Sequence, residues 1–338
     1  MADAKVSTLT EISVPDLADY DYAVDASGPT SARITYTRLG GLLVPAMATG
    51  RLTLTTGNAA PTADVTSGAT IYYTDIHNDG TVTASPFQIS VFDGTRLRMY
   101  SSAQISLSLT GLLTNARPHD IFIYDNAGTL TLEVLAWTSD TARATALAAQ
   151  SGTLVKTGAT TRRYVGTIYA TGTGTTDDSL ANRYVWNAYN RIERPLIVRE
   201  TTSSWTYNSS TIRQMRASSA NQVNVVVGLP GCSVVDLMAA VTVSGAAAAS
   251  TGHIGIGEDS TTIEISAAHL AVYPAFDNAS TGVVIGGPWA KVKKFTAIGK
   301  HYYAALEASA TNGQVATFYG NSGGGNMIGT GIAGSIAA

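Results

Sequence analysis

The chain has 338 residues and a net charge of −3, with 13% charged against 45% hydrophobic residues. That length accommodates two or three domains, and the hydrophobic fraction excludes a low-hydrophobicity disordered chain. With no basic surplus, sequence-independent binding to nucleic acid is not expected.

Polarity comes from hydroxyls rather than charges, with 45 Thr and 29 Ser beside 33 Gly and only 6 Lys. Thr, Tyr and Val suit strands and Gly punctuates turns, so the composition predicts an all-β protein. A single cysteine, Cys232, rules out an intrachain disulfide and a cysteine zinc site, and reads as a small buried or half-buried residue. The start, Met1-Ala2-Asp3-Ala4-Lys5, lacks the apolar stretch of a secretory signal, and no segment approaches the roughly 20 apolar residues of a membrane span. The expectation is a soluble chain made in the cytoplasm, without membrane insertion.

Residues 1–50 read as a separate N-terminal docking arm. The run from Asp16 to Asp25 is acidic and tyrosine-rich, Ala26-Ser27-Gly28-Pro29 is a turn signal, and Arg33 to Leu39 alternates like a strand. Residues 51–195 form a central β domain. Its first hairpin pairs Val91 with Leu97 and Ile89 with Met99 across Asp93-Gly94-Thr95. Its second pairs Ile121 and Ile123 with Leu132 and Leu130 across Asp125 to Gly128, with Phe122 and Tyr124 opposite Thr131 and Thr129. One short helix is predicted over residues 141–149, capped by Ser139 or Asp140 and ended by Gly152. Strands follow at residues 162–169 and 184–190, with an exposed loop at 171–178 between them, and Arg194-Pro195 marks a boundary.

Residues 196–338 predict a second β-sandwich or jelly-roll-like domain. Its strands are expected at residues 221–229, 234–243, 262–266, 283–285, 302–306 and 315–319, with Asn312-Gly313 as the hairpin turn between the last two and a glycine-rich tail at 320–334.

Chemistry-bearing patterns are sparse. None of His77, His119, His253, His269 and His301 stands at metal-ligand spacing from another, and neither a nucleophile elbow nor a phosphate-binding loop occurs. His253 with Glu258 and Asp259 could bind an ion, but reads better as a turn with solvated acids. Asp177 and Asp178 could belong to a carboxylate pair of a glycosidase, but neighbours on a strand point to opposite faces, and a solvated loop is the better reading. Asn208-Ser209-Ser210 and Asn278-Ala279-Ser280 fit the glycosylation pattern only in a secretory context. Eight of the fifteen arginines fall between Arg162 and Arg216. Arg162, Arg163, Arg191 and Arg194 are the candidate basic patch between subunits, against the plainer reading of ion pairs within the chain.

Several strings occur together: Ile71-Tyr72-Tyr73-Thr74, Val91-Phe92-Asp93-Gly94-Thr95, Tyr124-Asp125-Asn126-Ala127-Gly128, Leu135-Ala136-Trp137-Thr138, the run from Lys156 to Thr167, and Val185-Trp186-Asn187-Ala188-Tyr189-Asn190-Arg191. Further on come Ser219 to Val223, Gly255 to Thr261 and Thr317-Phe318-Tyr319-Gly320. With them the chain, from about residue 51 to its end, resembles a family of virion structural proteins of tailed bacteriophages, found also in prophages and described as tail-fibre-like. The arm looks like the segment by which many phage fibres and decorations attach to the particle, which makes Asp16, Leu17, Tyr20, Asp21, Arg33 and Ile34 the candidate anchoring segment. Asp75-Ile76-His77-Asn78-Asp79-Gly80 departs from the family's Pro-aromatic turn, and the glycine-rich tail is also unusual.

The resemblance implies a place of action rather than a chemistry. It implies no catalytic residues, cofactor or metal, assembly in the host cytoplasm into the virion, and a symmetric oligomer, commonly a trimer. Expected partners are other virion proteins, copies of the chain itself, and a host-surface glycan or protein for the C-terminal domain. The readings in order are a tail-fibre or baseplate-appendage protein, a capsid decoration or head fibre, and a tailspike enzyme cutting surface polysaccharide.

Overall fold

The computed structural model describes residues 20–23, 32–35, 47–81, 84–245, 250–265, 276–278, 284–309, 315–320 and 329–338. The fold is all-β, in several separate sheets, and the sole helical element among the described residues is a 3-10 turn at Met215–Ala217.

Hydrophobic patterning explains the layering. A sheet in the middle of the molecule runs in the order Thr129–Ala136, Pro118–Asn126, Ala159–Tyr169, Thr153–Lys156 and Leu147–Gln150, with Val185–Asn187 also paired to Ala159–Tyr169. Its central strands are apolar on both faces, so both must be covered. Ile121, Ile123, Val165, Ile168 and Val185 pack into one core with Leu52, Ile71, Tyr73, Phe87, Ile89 and Val91. Phe122, Tyr164 and Trp186 point the other way, into a second core. Each such buried side chain stabilises the fold by about 1.5–3 kcal/mol.

The second core is the filling of a sandwich. One wall is an eight-stranded sheet ordered Phe276–Asn278, Ser250–Glu258, Gly299–Ser309, Gln222–Val227, Asn182–Arg183, Thr176–Asp178 and Val65–Gly68, with Arg213–Gln214 also on Gly299–Ser309. It contributes Val223, Val225, Ile254, Ile256 and Tyr303. Opposite lie two four-stranded sheets. One runs Glu193–Arg199, Gly331–Ala337, Val234–Ala240, Trp289–Phe295; the other runs Ser204–Tyr207, Ala316–Tyr319, Thr242–Gly245, Val284–Gly286. They contribute Leu196, Leu237, Val292, Ile332, Val243 and Phe318.

Several local expectations are corrected. The helix over 141–149 is absent. Ser139 Oγ accepts from the backbone N–H of Thr141 and Ala142, and Ala142 O accepts from the N–H of Thr138 and Ser139, closing a tight turn. Arg143 is then drawn inward, donating to both carboxylate oxygens of the buried Asp120 and to Gly228 O. Leu147–Gln150 follows as a strand. Helix propensities of a few tenths of a kcal/mol per residue do not compete with a charge-assisted pair at Asp120, where a buried carboxylate needs a partner.

Both hairpin registers also shift. Phe92 faces Leu97 and Val91 faces Arg98. The loop is four residues long because Asp93 Oδ1 accepts from the N–H of Thr95 and Arg96, and the outer strand Leu97–Ser102 lies mostly in solvent, where its alternation decides little. In the next hairpin Ile123 faces Leu132 and Phe122 faces Glu133 across a two-residue turn. Ala127 and Gly128 lie at φ 52° and 93°, as a type I′ turn requires.

Residues 302–306 and 315–319 do not form a hairpin but lie in different sheets; Asn312 and Gly313 fall outside the described residues. The loop expected at 171–178 ends in the strand Thr176–Asp178, and the glycine-rich tail expected at 320–334 runs into the strand Gly331–Ala337. Residue 195 lies inside the strand Glu193–Arg199, and Gly50 opens the buried strand Gly50–Thr53.

Candidate assembly surface

The residues singled out from the sequence end in different places. Tyr20–Ala23 and Ala32–Thr35 form an antiparallel pair with Asp21 opposite Ile34 and Tyr22 opposite Arg33; Asp16 and Leu17 lie outside the described residues. Arg162, Arg163, Arg191 and Arg194 do not make one exposed patch. Arg162 pairs with Glu133 at 3.0 Å and stacks on Tyr124. Arg191 donates to Ala188 O and lies over Trp186. Arg163 is completely buried, donating to Met47 O and Ser90 O. Arg194 is buried on Asp178. Desolvating a guanidinium is tolerated only where such acceptors wait for it, so Arg163 and Arg194 serve the chain's own interior.

The solvated-loop reading of Asp178 is corrected as well. Its two carboxylate oxygens meet Arg183 at 2.9 Å and Arg194 at 3.0 Å, and all three residues are buried. Arg51 lies nearby, its pKa pushed down to about 10 by burial and then by the Arg194 charge. Asp177 points elsewhere, accepting from Ser67 N–H and Asn182. Adjacent strand residues thus take opposite sides, and the two carboxylates do not form a catalytic pair.

The histidines and acids that could have made an ion site are also divided. Asp259 accepts from His301 and from Tyr302 N–H, and Glu258 is bound by Lys294 and Tyr303. No cluster of three potential metal ligands occurs among the described residues. His253 lines a cavity of about 290 Å³ with Ile254, Glu264, Leu306 and Glu307. Glu307 is held there by Trp205 Nε1 at 2.7 Å and Arg213 Nε at 2.8 Å. Burial pushes its carboxyl pKa up, although those donors oppose the shift.

A different surface stands out. In the sheet containing Glu193–Arg199, Gly331–Ala337, Val234–Ala240 and Trp289–Phe295, alternate residues enter the core: Leu196, Ile332, Ile336, Val235, Leu237, Ala239, Ala290 and Val292. The other face looks outward in four cross-strand rows. Glu193, Ala337, Val234 and Phe295 form the first; Pro195, Ser335, Asp236 and Lys293 the second. Ile197, Ala333, Met238 and Lys291 form the third, and Arg199, Gly331, Ala240 and Trp289 the fourth.

Three of the seven exposed large hydrophobic residues among the described ones lie here, Met238 at 46%, Trp289 at 36% and Phe295 at 62% exposure. The small residues of Gly331–Ala337 leave a trough along the middle, between Pro195 on one side and Met238, Asp236 and Lys291 on the other. Glycine is required in that strand. A Cβ on Gly334 would lie 1.9 Å from Asp236 O, and one on Gly331 2.1 Å from Val198 O.

Sequence reading misses this face because the last strand looks like part of a glycine-rich tail. The available signal is Trp289-Ala290-Lys291-Val292-Lys293, where small or apolar residues alternate with long exposed ones.

No family model matches the chain, and no curated protein matches it. Among solved structures, an insecticidal delta-endotoxin from Bacillus thuringiensis aligns at 9% identity over 95% of this chain, with a TM-score of 0.20; the alignment spans 60% of the toxin. A structure of the Gx strain of infectious bursal disease virus aligns at 8% identity over 86% of this chain and 74% of that one, with a TM-score of 0.21. At such scores neither likeness carries an argument about fold or function.

Proposed function

We propose that this chain is a structural component of a tailed-bacteriophage virion, of the tail-fibre or baseplate-appendage type, acting through protein–protein contacts rather than catalysis. Its partners in this reading are other virion proteins and further copies of itself, with a host-surface glycan or protein met by the C-terminal part. The observation that carries the reading is the outward face with Met238, Trp289 and Phe295. In this reading the exposed Met238, Trp289 and Phe295 make that sheet face a contact surface. The extensive pairing of buried charges within the chain, at Asp178, Asp120 and Glu307, fits a rigid building part. The resemblance of the sequence to phage structural proteins supplies the particle.

Immunogold electron microscopy of virions with antibodies to residues 196–338 tests the proposal. Label on fibres or at the tail tip supports it. Label spread over the head replaces it with the capsid-decoration reading. Virions that contain no copy of the chain by mass spectrometry overturn both.

A further inference from the structure

His119 is a buried titratable group that plays no part in the outward face. It stands in the strand Pro118–Asn126, wholly buried, on the same side of the sheet as Ile121 and Ile123. Both ring nitrogens are committed. Nε2 accepts from the backbone N–H of Thr114 at 2.9 Å, and Nδ1 lies 2.9 Å from Arg117 O. A backbone N–H only donates and a carbonyl only accepts, so these contacts fix the neutral ring with its proton on Nδ1. An imidazolium carries a proton on both nitrogens. Its Nε2–H would face the Thr114 N–H, donor against donor.

That contact holds the loop 109–117. Leu109 and Leu113 seat the loop in the core. Thr110, Thr114, Asn115 and Ala116 are exposed, as is Leu112. Ala116 N–H donates to Ala170 O at 3.1 Å and Leu113 N–H to Thr173 O at 3.3 Å, while Ala170 N–H returns to Arg117 O at 2.9 Å. Gly174 permits this approach, since a Cβ there would lie 2.8 Å from Thr110 Cα. Ala116 sits at φ 54°, a conformation that works against closure. The closed loop therefore rests on few anchors, and the one at His119 Nε2 is lost when the ring takes up a proton.

We propose that His119 is an acid-sensitive latch: neutral, it keeps the loop 109–117 closed; protonated, it lets the loop open and bare Leu109 and Leu113. Among the described residues no charged neighbour offsets that proton. Arg117 turns outward to Asp140 at 3.8 Å. Asp120, next in the strand, faces the other side and is held by Arg143. On the adjoining strands, Glu133 is taken by Lys156 and Arg162, and Arg163 stands opposite Ile123 rather than His119.

Burial lowers the His119 pKa below the usual 6.5, against a smaller rise from the Arg117 carbonyl. In the opened loop the ring meets water and its ordinary value returns. The open form then binds more protons below pH 6.5. Each pH unit below that favours opening by up to about tenfold, until the closed-form pKa is reached. His301 has the opposite sign, because Asp259 favours its charged form, so the latch is read at the loop and not from global stability. The latch is independent of the virion assignment.

Hydrogen exchange of the full chain by mass spectrometry, from about pH 7.5 to 5 and corrected for intrinsic exchange, tests it. Protection of peptides covering 109–117 should be constant above about pH 7 and fall by up to about tenfold per unit below about 6.5. The core strand Phe87–Phe92 should keep its protection. His119→Gln supplies one donor and one acceptor but does not titrate, so its loop should show no such slope, however tightly it closes. Nitrogen-resolved NMR of the parent imidazole should place its proton on Nδ1 at neutral pH. Flat protection in the parent, a fall shared by Phe87–Phe92, the same slope in His119→Gln, or a ring protonated on Nε2 at neutral pH would each overturn the inference.

Discussion

Arg216 donates from Nε to Oε2 of Glu200 at 2.8 Å while its own backbone sits at φ 55°, in the left-handed region. Asn221 Nδ2 adds a bond to the same oxygen, and Thr202 N–H binds the other. Burial pushes the Glu200 carboxyl up, but these donors outweigh it and hold the group at about 2. A carboxyl whose folded pKa lies below its unfolded value stabilises the fold above the unfolded pKa, about 4.5, and loses that contribution as pH falls through the folded value, about 2. Glu200→Gln should therefore destabilise the chain by roughly 3 kcal/mol at pH 7, and the difference from the parent should close as pH approaches 2. Urea denaturation at pH 7, 4 and 2.5 measures it. Curves that stay parallel across that range would contradict the assignment.

Asp178 is the counter-charge of two buried guanidiniums. Replacing it with Ala leaves Arg183, whose Nε still donates to Pro195 O, and Arg194 desolvated without a counter-charge, so a loss of about 3–5 kcal/mol is expected. Asp178→Asn, which keeps an acceptor oxygen, should lose less. The comparison is read from urea midpoints at pH 7, and equal losses for the two variants would show that the charge is immaterial.

His301 is buried and its Nδ1 lies 2.6 Å from Asp259 Oδ2. Burial alone lowers its pKa; the hydrogen bond and charge of Asp259 reverse that and raise it above the usual 6.5. A raised histidine pKa stabilises the fold below the unfolded value and ceases to do so as pH rises through the folded one. In Asp259→Asn the burial remains and the carboxylate is gone, so the His301 pKa should fall. Titration of the imidazole signals by NMR checks both values, and an unchanged pKa in the variant would assign the shift to another group.

Ala127 occupies a positive-φ position of a type I′ turn that favours Asn or Gly. Ala127→Asn should relieve that strain and stabilise the chain by about 0.5–1 kcal/mol. Thermal unfolding reads the gain as a raised Tm. A lowered Tm would mean that the methyl group is needed where it stands.

The strands and their faces were legible where burial enforces alternation. Phe87, Ile89 and Val91, like Ile121 and Ile123, face one core as their alternation requires, and 222–227 pairs as a strand. Register was less legible, because it depends on turn conformations. Asp93 as an acceptor for two backbone N–H groups, and Ala127 at positive φ, each shift a hairpin by one or two residues. Partners were least legible. His301 finds Asp259 42 residues away, and Glu307 finds Trp205 across 102.

Composition and periodicity by themselves determined an all-β chain, its hydroxyl-rich polarity and most of its strands, because side-chain alternation and turn residues act over a few neighbours. Only the tertiary structure decided that the segment 141–149 leaves a tight turn for the strand Leu147–Gln150 instead of forming a helix, that Arg163 and Arg194 are interior groups, and that Trp289, Phe295 and Met238 share one outward face. Those outcomes depend on which distant strand lies alongside and on whether a buried charge meets its partner, and local sequence carries neither.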